Sequence, residues 1–211
     1  MKLEFRRIAM ILSLVILFST IICIAEKNYS GVINGHEWVD LGLPSGVKWA
    51  TCNVGASSPE ETGDYFAWGE IKSKSEYTEA NSKTFGVEMG DIKEDKSFDV
   101  AKAKWGGSWR MPTDMEIFEL RKKCTYEWTT QNGCFGMKFT SKTNGKSIFL
   151  PAAGYYEGKS IIDAGSVGAY WTSKPFEMNF TTSYYLLFNS EKCSNKRFNR
   201  YCGLCIRPVS Y

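Results

Sequence analysis

The chain has 211 residues, with 26 Lys and Arg against 23 Asp and Glu, and a formal net charge of +3. Without residues 1–25, which carry Lys2, Arg6 and Arg7 against Glu4, the balance falls to about +1. That is no electrostatic footprint for nucleic acid or for an anionic membrane surface. The length fits a single domain behind a targeting segment, and seven tryptophans supply material for a sizeable core.

The first element is not part of the fold. Residues 2–7, KLEFRR, precede the apolar run IAMILSLVILFSTIICIA, from Ile8 to Ala25. A charged region, an apolar region and small residues in that order make a secretory signal. Cleavage after Ala25, with Cys23 at −3, is the first expected outcome. Retention as an N-terminal anchor and lipidation at Cys23 are the other two, and bulky Ile22 disfavours lipidation. In each, residues 26–211 are exported to the periplasm, the cell surface or the medium, and the membrane is met only through this segment.

INGHEWVDLGL (33–43) and VKWATCNVG (47–55) read as strands joined by the Pro44-Ser45-Gly46 turn, and DYFAWGE (64–70) as a third apolar-aromatic segment. Residues 71–97 are polar and aperiodic, the pattern of a surface excursion. A short helix is expected over Phe98 to Trp105. A firmer one follows Thr113, which with Glu116 makes a capping box; Ile117, Leu120, Arg121 and Cys124 share its inner face.

Asn132-Gly133 and Asn144-Gly145 are hairpin dipeptides. A two-residue turn at the first sets Gln131 opposite Cys134 and Cys124 opposite Ser141. YWTSKP, SYYLLFNS and GLCIRPV add further strands. The fold class is α+β: short twisted antiparallel strands with one or two helices.

HEWVDLGLPSGVKWATCNVGASSPEETGDYFAWGE (36–70), WGGSWRMPTDMEIFEL (105–120), GKSIFLPAAGYYEG (145–158), GSVGAYWTS (165–173) and the closing GLCIRPV resemble the Fibrobacter succinogenes major paralogous domain family of exported Bacteroidetes proteins. The resemblance runs over nearly all of 36–209. It implies one C-type-lectin-like domain over 26–211, akin also to formylglycine-generating enzymes. It implies no reaction, because a fold does not carry a function.

The residues themselves favour no catalyst. Cys202 and Cys205 form CGLC on a strand rather than at the helix N-terminus that a thiolate needs. His36 is the sole histidine, and no second pair of metal ligands has suitable spacing. The calcium motifs of sugar-binding C-type lectins and the C-x4-C pair of sulfatase-modifying enzymes are both missing. Glu60, Glu61, Asp64 and Glu70 read as turn and strand-flanking residues rather than a glycosidase pair. Trp38, Trp49, Trp68, Trp105 and Trp109 read as core. No cofactor is implied.

Six cysteines beyond residue 25 permit disulfides, with Cys193–Cys202 (across a hairpin centred near Arg197-Phe198) and Cys52–Cys124 as pairings. The stretch SEKCSNKRFNRYC (190–202) combines Arg and Tyr anchors with adaptable Asn and Ser, the chemistry of a contact surface. Arg197, Phe198, Asn199, Arg200 and Tyr201, with Tyr184 and Tyr185, are therefore the expected ligand-binding residues, for a carbohydrate or a protein surface.

The end of the chain also resembles the variable region of lectin-like proteins diversified by retroelements. Cys193, Asn195, Phe198, Asn199, Tyr201 and Cys202 fit that residue palette. The competing readings are a degenerate formylglycine-generating or carbohydrate-active enzyme and a structural component of a surface assembly.

Overall fold

The computed structural model describes residues 29–211, so the expected signal over 1–25 lies outside the described residues. The fold is mostly antiparallel strands with few helices. Strands β1 (Gly31–Ile33), β2 (His36–Asp40) and β3 (Lys48–Ala50) pair in that order, and β12 (Val209–Ser210) completes their sheet beside β3. Strands β4 (Cys124–Gln131), β5 (Cys134–Ser141) and β6 (Ser147–Pro151) form a second sheet. A small hairpin joins β7 (Tyr155–Glu157) to β8 (Ser160–Ile162). In the last sheet β10 (Thr182–Phe188) lies between β9 (Gly168–Pro175) and β11 (Cys193–Asn199).

The β9–β11 sheet separates two hydrophobic cores, and the pleat decides which side chain enters which. Tyr170, Leu186 and Phe188 face one core with Trp49, Leu120 and Phe139. Their alternating neighbours Trp171, Tyr185 and Leu187 face the other, with Phe66, Trp68, Trp109 and Leu204. Trp49, Trp68 and Trp109 are completely buried and Trp105 nearly so, so the core reading of these four is met, and Trp171 is completely buried as well. Trp38 is half-buried beneath the Lys48 ammonium, 4.9 Å from its ring centre.

Helix α1 (Val100–Trp105) starts at Asp99, whose carboxylate accepts from the Lys102 amide. Helix α2 (Asp114–Lys123) starts with the expected capping box at Thr113 and Glu116. Glu116 also receives both terminal nitrogens of buried Arg110, at 2.9 and 2.6 Å, a bidentate pair fixing the helix entry.

The Asn132-Gly133 turn carries φ of 48° and 81°, as a two-residue hairpin requires, and the register sets Gln131 against Cys134 and Cys124 against Ser141. Asn144-Gly145 differs from expectation. The loop between β5 and β6 spans residues 142–146, because the Ser141 hydroxyl accepts from the Thr143 and Asn144 amides and widens the turn.

The hairpin expected near Arg197-Phe198 is corrected. Residues 193–199 are one continuous strand, and the reversal lies at 189–192, where the Asn189 side-chain oxygen accepts from the Glu191 and Lys192 amides. A seven-residue strand spans roughly 20 Å, which parts Cys193 from Cys202 beyond disulfide reach. The two thiols are free and sit in different cores, and Cys52 and Cys124 are free as well.

The excursion over 71–97 has one 3-10 turn, at Glu79–Asn81, and is pinned at intervals. The Tyr77 hydroxyl donates to the Tyr65 carbonyl at 2.5 Å, the Thr84 hydroxyl to the Trp68 carbonyl at 2.6 Å, and the Ile92 amide to Ser173 at 3.2 Å.

Candidate functional site

The contact residues expected from the sequence do not share one surface. In the β10–β11 register Tyr184 faces Arg197 while Ser183 faces Phe198, so the pleat sends Arg197 and Phe198 to opposite sides. On one side the Arg197 guanidinium lies 4.0 Å from the Phe176 ring centre, and Tyr184 meets the same ring edge-on at 5.9 Å. On the other, Phe198 packs against Tyr155 at 4.9 Å and Tyr185 at 5.3 Å between ring centres. Tyr185 is buried, its hydroxyl pushed up to about 12 by burial.

Arg200 is corrected from ligand anchor to structural clamp. It is wholly buried, with its guanidinium carbon 4.4 Å from the Trp68 ring centre. Nε donates to the Thr182 carbonyl and the Ser183 hydroxyl at 3.1 and 3.0 Å, and Nη1 donates to the Thr84 and Val87 carbonyls at 3.1 and 2.8 Å. Its own amide donates to Thr181, and its carbonyl accepts from the Trp68 amide. Burial lowers its pKa to about 10, so it remains charged at neutral pH.

One cation thus gathers three segments far apart in sequence: the excursion at 84–87, the β9–β10 loop at 176–181, and the residues that follow β11. These segments carry the exposed apolar side chains of this end of the molecule. Met178 is 88% exposed, Val87 46% and Phe180 37%, and the Gly86 amide donates to the Phe180 carbonyl to hold the two loops side by side. Tyr201 lies beside them, edge-on to Phe85 at 5.4 Å. Its hydroxyl donates to the Glu157 carboxylate at 3.0 Å and accepts from the Asn199 side-chain nitrogen at 3.3 Å. Tyr201, Phe85, Val87, Phe180 and Met178 make a partly apolar ridge with a polar end.

Of the expected residues, Tyr201 belongs to this ridge, the Asn199 side chain bonds to its hydroxyl, and Arg197, Phe198 and Tyr184 flank it on either side of the sheet. Phe85, Val87, Met178 and Phe180 were missed. Their only signal was apolar residues at polar stretches, TFGV within the excursion and FEMNF after a strand. Within the palette noted for diversified proteins, Cys193 and Cys202 are buried, and Asn195 is held by Arg121 at 2.8 Å and by the Asp114 carbonyl at 3.0 Å.

The other chemistry-bearing groups have structural partners. Asp64 pairs with Lys104 at 3.3 Å and Glu70 with Lys74 at 3.1 Å. Glu61 accepts from the Ser57 amide, and Glu60 from the Gln131 and Asn132 side chains. His36 stacks on Trp105 at 3.6 Å, where burial lowers its pKa. The Cys202 thiol is pushed up to about 12 and Cys205 well above the ordinary range, each chiefly by burial. No protein-family model, curated protein or solved structure matches the chain.

Proposed function

We propose that the protein is an exported, non-enzymatic binding module of C-type-lectin-like fold that recognises a protein surface through the ridge of Tyr201, Phe85, Val87, Phe180 and Met178. The observation that carries this reading is the exposure of Val87, Met178 and Phe180 from two distant segments, with half-buried Tyr201 from a third beside them, all anchored to one buried arginine. Exposed apolar groups gathered on a rigid support mark interaction sites. The lectin-like fold is supported by sequence motifs running in family order through residues 36–209 and by a strand-dominated architecture. Export is supported by the charged, apolar and small residues in order over 2–25.

A carbohydrate ligand is the second reading. It is favoured by Tyr201, an aromatic ring whose hydroxyl lies between a carboxylate and an amide, the amphipathic combination that sugar recognition uses. The purified protein, run against immobilised host and bacterial surface proteins and against immobilised glycans, separates the two. Tyr201→Ala abolishing glycan binding would select the sugar; Met178→Ser with Phe180→Ser abolishing binding to a purified surface protein would select the protein. Binding unaffected by either set of changes contradicts the ridge as recognition surface.

A further inference from the structure

Away from the ridge, strand β4 is an open edge. Its sheet runs in the order β4–β5–β6, so only one side of β4 is paired. The Phe135 carbonyl accepts from the Ala152 amide, and the Ser141 amide donates to the Lys146 carbonyl, both away from β4. Backbone bonds alternate along an antiparallel strand, so Phe135, Met137, Phe139 and Ser141 bond toward β6, and Gly136, Lys138 and Thr140 toward β4. Their partners Thr129, Glu127 and Thr125 therefore bond inward. Tyr126, Trp128 and Thr130 turn their N–H and C=O groups outward, and among the described residues no backbone bond meets them.

Other long strands have their edges covered. Beside β11, Arg121 donates to the Cys193 carbonyl at 2.7 Å and the Asn195 side chain to the Asp114 carbonyl at 3.0 Å. Along β9, the Trp171 and Ser173 amides donate to the Cys205 and Pro112 carbonyls at 3.1 and 2.8 Å. Strand β4 has eight residues, with no proline, lysine or bulge among them to discourage pairing. It also carries an aromatic fringe. Tyr126 and Phe135 share one face with Trp128 and are 45% and 49% exposed, and Trp128 stacks on Phe135 at 6.1 Å.

We infer that this edge pairs with β4 of a second copy of the chain, antiparallel, about a two-fold axis at Trp128. In that register Trp128 faces the partner's Trp128, Tyr126 faces the partner's Thr130 and Glu127 faces the partner's Thr129. Residues 125–131 then pair along their whole length, with outward donors set against outward acceptors. A register centred on Glu127 would set two carboxylates directly opposite, and one centred on Tyr126, Thr129 or Thr130 shortens the ladder. Charge favours the same pairing. Exposed Lys122 and Lys123 end α2 just before β4, and at the other end of the strand Glu60 is held by the Gln131 and Asn132 side chains. Antiparallel pairing sets Lys123 opposite the partner's Gly133, beside the partner's Glu60, and the two-fold axis repeats that approach. The ladder is small beside obligate interfaces, so monomer and dimer exchange. This contact is independent of the ridge, and either can stand without the other.

The test is sedimentation velocity of the purified protein over a wide concentration range, with circular dichroism to confirm folding of each variant. The parent is expected to pass from monomer to dimer as concentration rises. Thr130→Pro removes one outward N–H and no bond to β5, and should weaken the dimer at least tenfold. Thr129→Glu sets a second carboxylate opposite the partner's Glu127 and should weaken it at least threefold, whereas Thr129→Lys sets a cation there and should tighten it at least threefold. Met178→Ser/Phe180→Ser should leave it unchanged. A parent that stays monomeric at every concentration overturns the inference, even where an extended peptide of another protein binds the edge. So does a dimer indifferent to Thr130→Pro, one that both Thr129 variants shift in the same direction, or one abolished by the Met178 and Phe180 changes.

Discussion

The Arg200 guanidinium lies over the face of Trp68, 4.4 Å from the ring centre, while the Trp68 amide donates to the Arg200 carbonyl. The pair is linked twice, by side chain and by backbone. Among the described residues no carboxylate bonds to this arginine; carbonyls, one hydroxyl and the indole ring share its charge. Such a cation stays buried only while those oxygens stay in place, so the loops that supply them are fixed by it.

Replacing Arg200 with methionine keeps the volume and removes every one of these donors. The Thr84 and Val87 carbonyls then lose a buried partner, at about 1–3 kcal/mol each. We expect a loss of about 3 kcal/mol in folding stability, or roughly 6–12 °C in melting temperature for a domain of this size. Lysine, with one nitrogen in place of a planar fork, should recover less than half. Urea or thermal unfolding measures both. A melting temperature unchanged in Arg200→Met would return this residue to the surface role that its sequence suggests.

The Arg110–Glu116 pair gives a pH signature. Burial raises the Glu116 pKa, but the Arg110 hydrogen bonds and the Thr113 amide more than offset it, so the folded value lies below the ordinary one. A depressed carboxylate stabilises the fold above its unfolded pKa of about 4.3, and that contribution disappears as pH falls through the folded value. Glu116→Gln should therefore cost about 2–3 kcal/mol at pH 7, and the difference from the parent should shrink below about pH 4. Melting temperatures of the two proteins between pH 7 and 3 test this; a gap that stays constant contradicts it.

Thiol accessibility follows from burial. The Cys124 and Cys193 thiols are pushed up to about 11 and Cys202 to about 12, chiefly by burial, while Cys52 and Cys134 are half-exposed. Iodoacetamide at pH 7.5 should label Cys52 and Cys134 in the folded protein, and Cys124, Cys193, Cys202 and Cys205 only after unfolding. Peptide mapping reads the order. Absence of labelling at Cys193 and Cys202 in the unfolded, unreduced protein would reveal a disulfide and contradict the free thiols.

Gly168 pairs with Phe188 across β9 and β10, and a Cβ there would sit 2.0 Å from the Phe188 ring. Its φ is not in the left-handed region, so space alone requires the glycine. Gly168→Ala should cost about 1–3 kcal/mol through displacement of the ring from the core. Equilibrium unfolding checks the value, and a neutral effect would mean that the Phe188 ring shifts freely.

Much of the local structure was legible because it rests on neighbours in sequence. The Thr113 capping box and the Asn132-Gly133 turn each need only a few adjacent residues, and the turn alone fixed the β4–β5 register down to Cys124 opposite Ser141. The last hairpin was misplaced for a physical reason. KCSNKRFNR has the composition of a loop, yet β11 is an edge strand whose polar residues meet solvent or the α2 residues Arg121 and Asp114. Arg200 was misread because its partners at Thr84, Val87 and Trp68 lie more than a hundred residues upstream. The ridge was hidden likewise, since nothing local brings Val87 to Phe180.

The most direct test is a binding isotherm for the partner found by surface-protein screening, measured beside thermal unfolding for the parent protein and for Met178→Ser/Phe180→Ser. Met178 is 88% exposed, while Phe180 is 37% exposed and loses some packing on replacement, so the variant should stay folded and melt within a few degrees of the parent. Its affinity should fall at least tenfold. A folded variant that binds as tightly as the parent would contradict the ridge as the recognition surface.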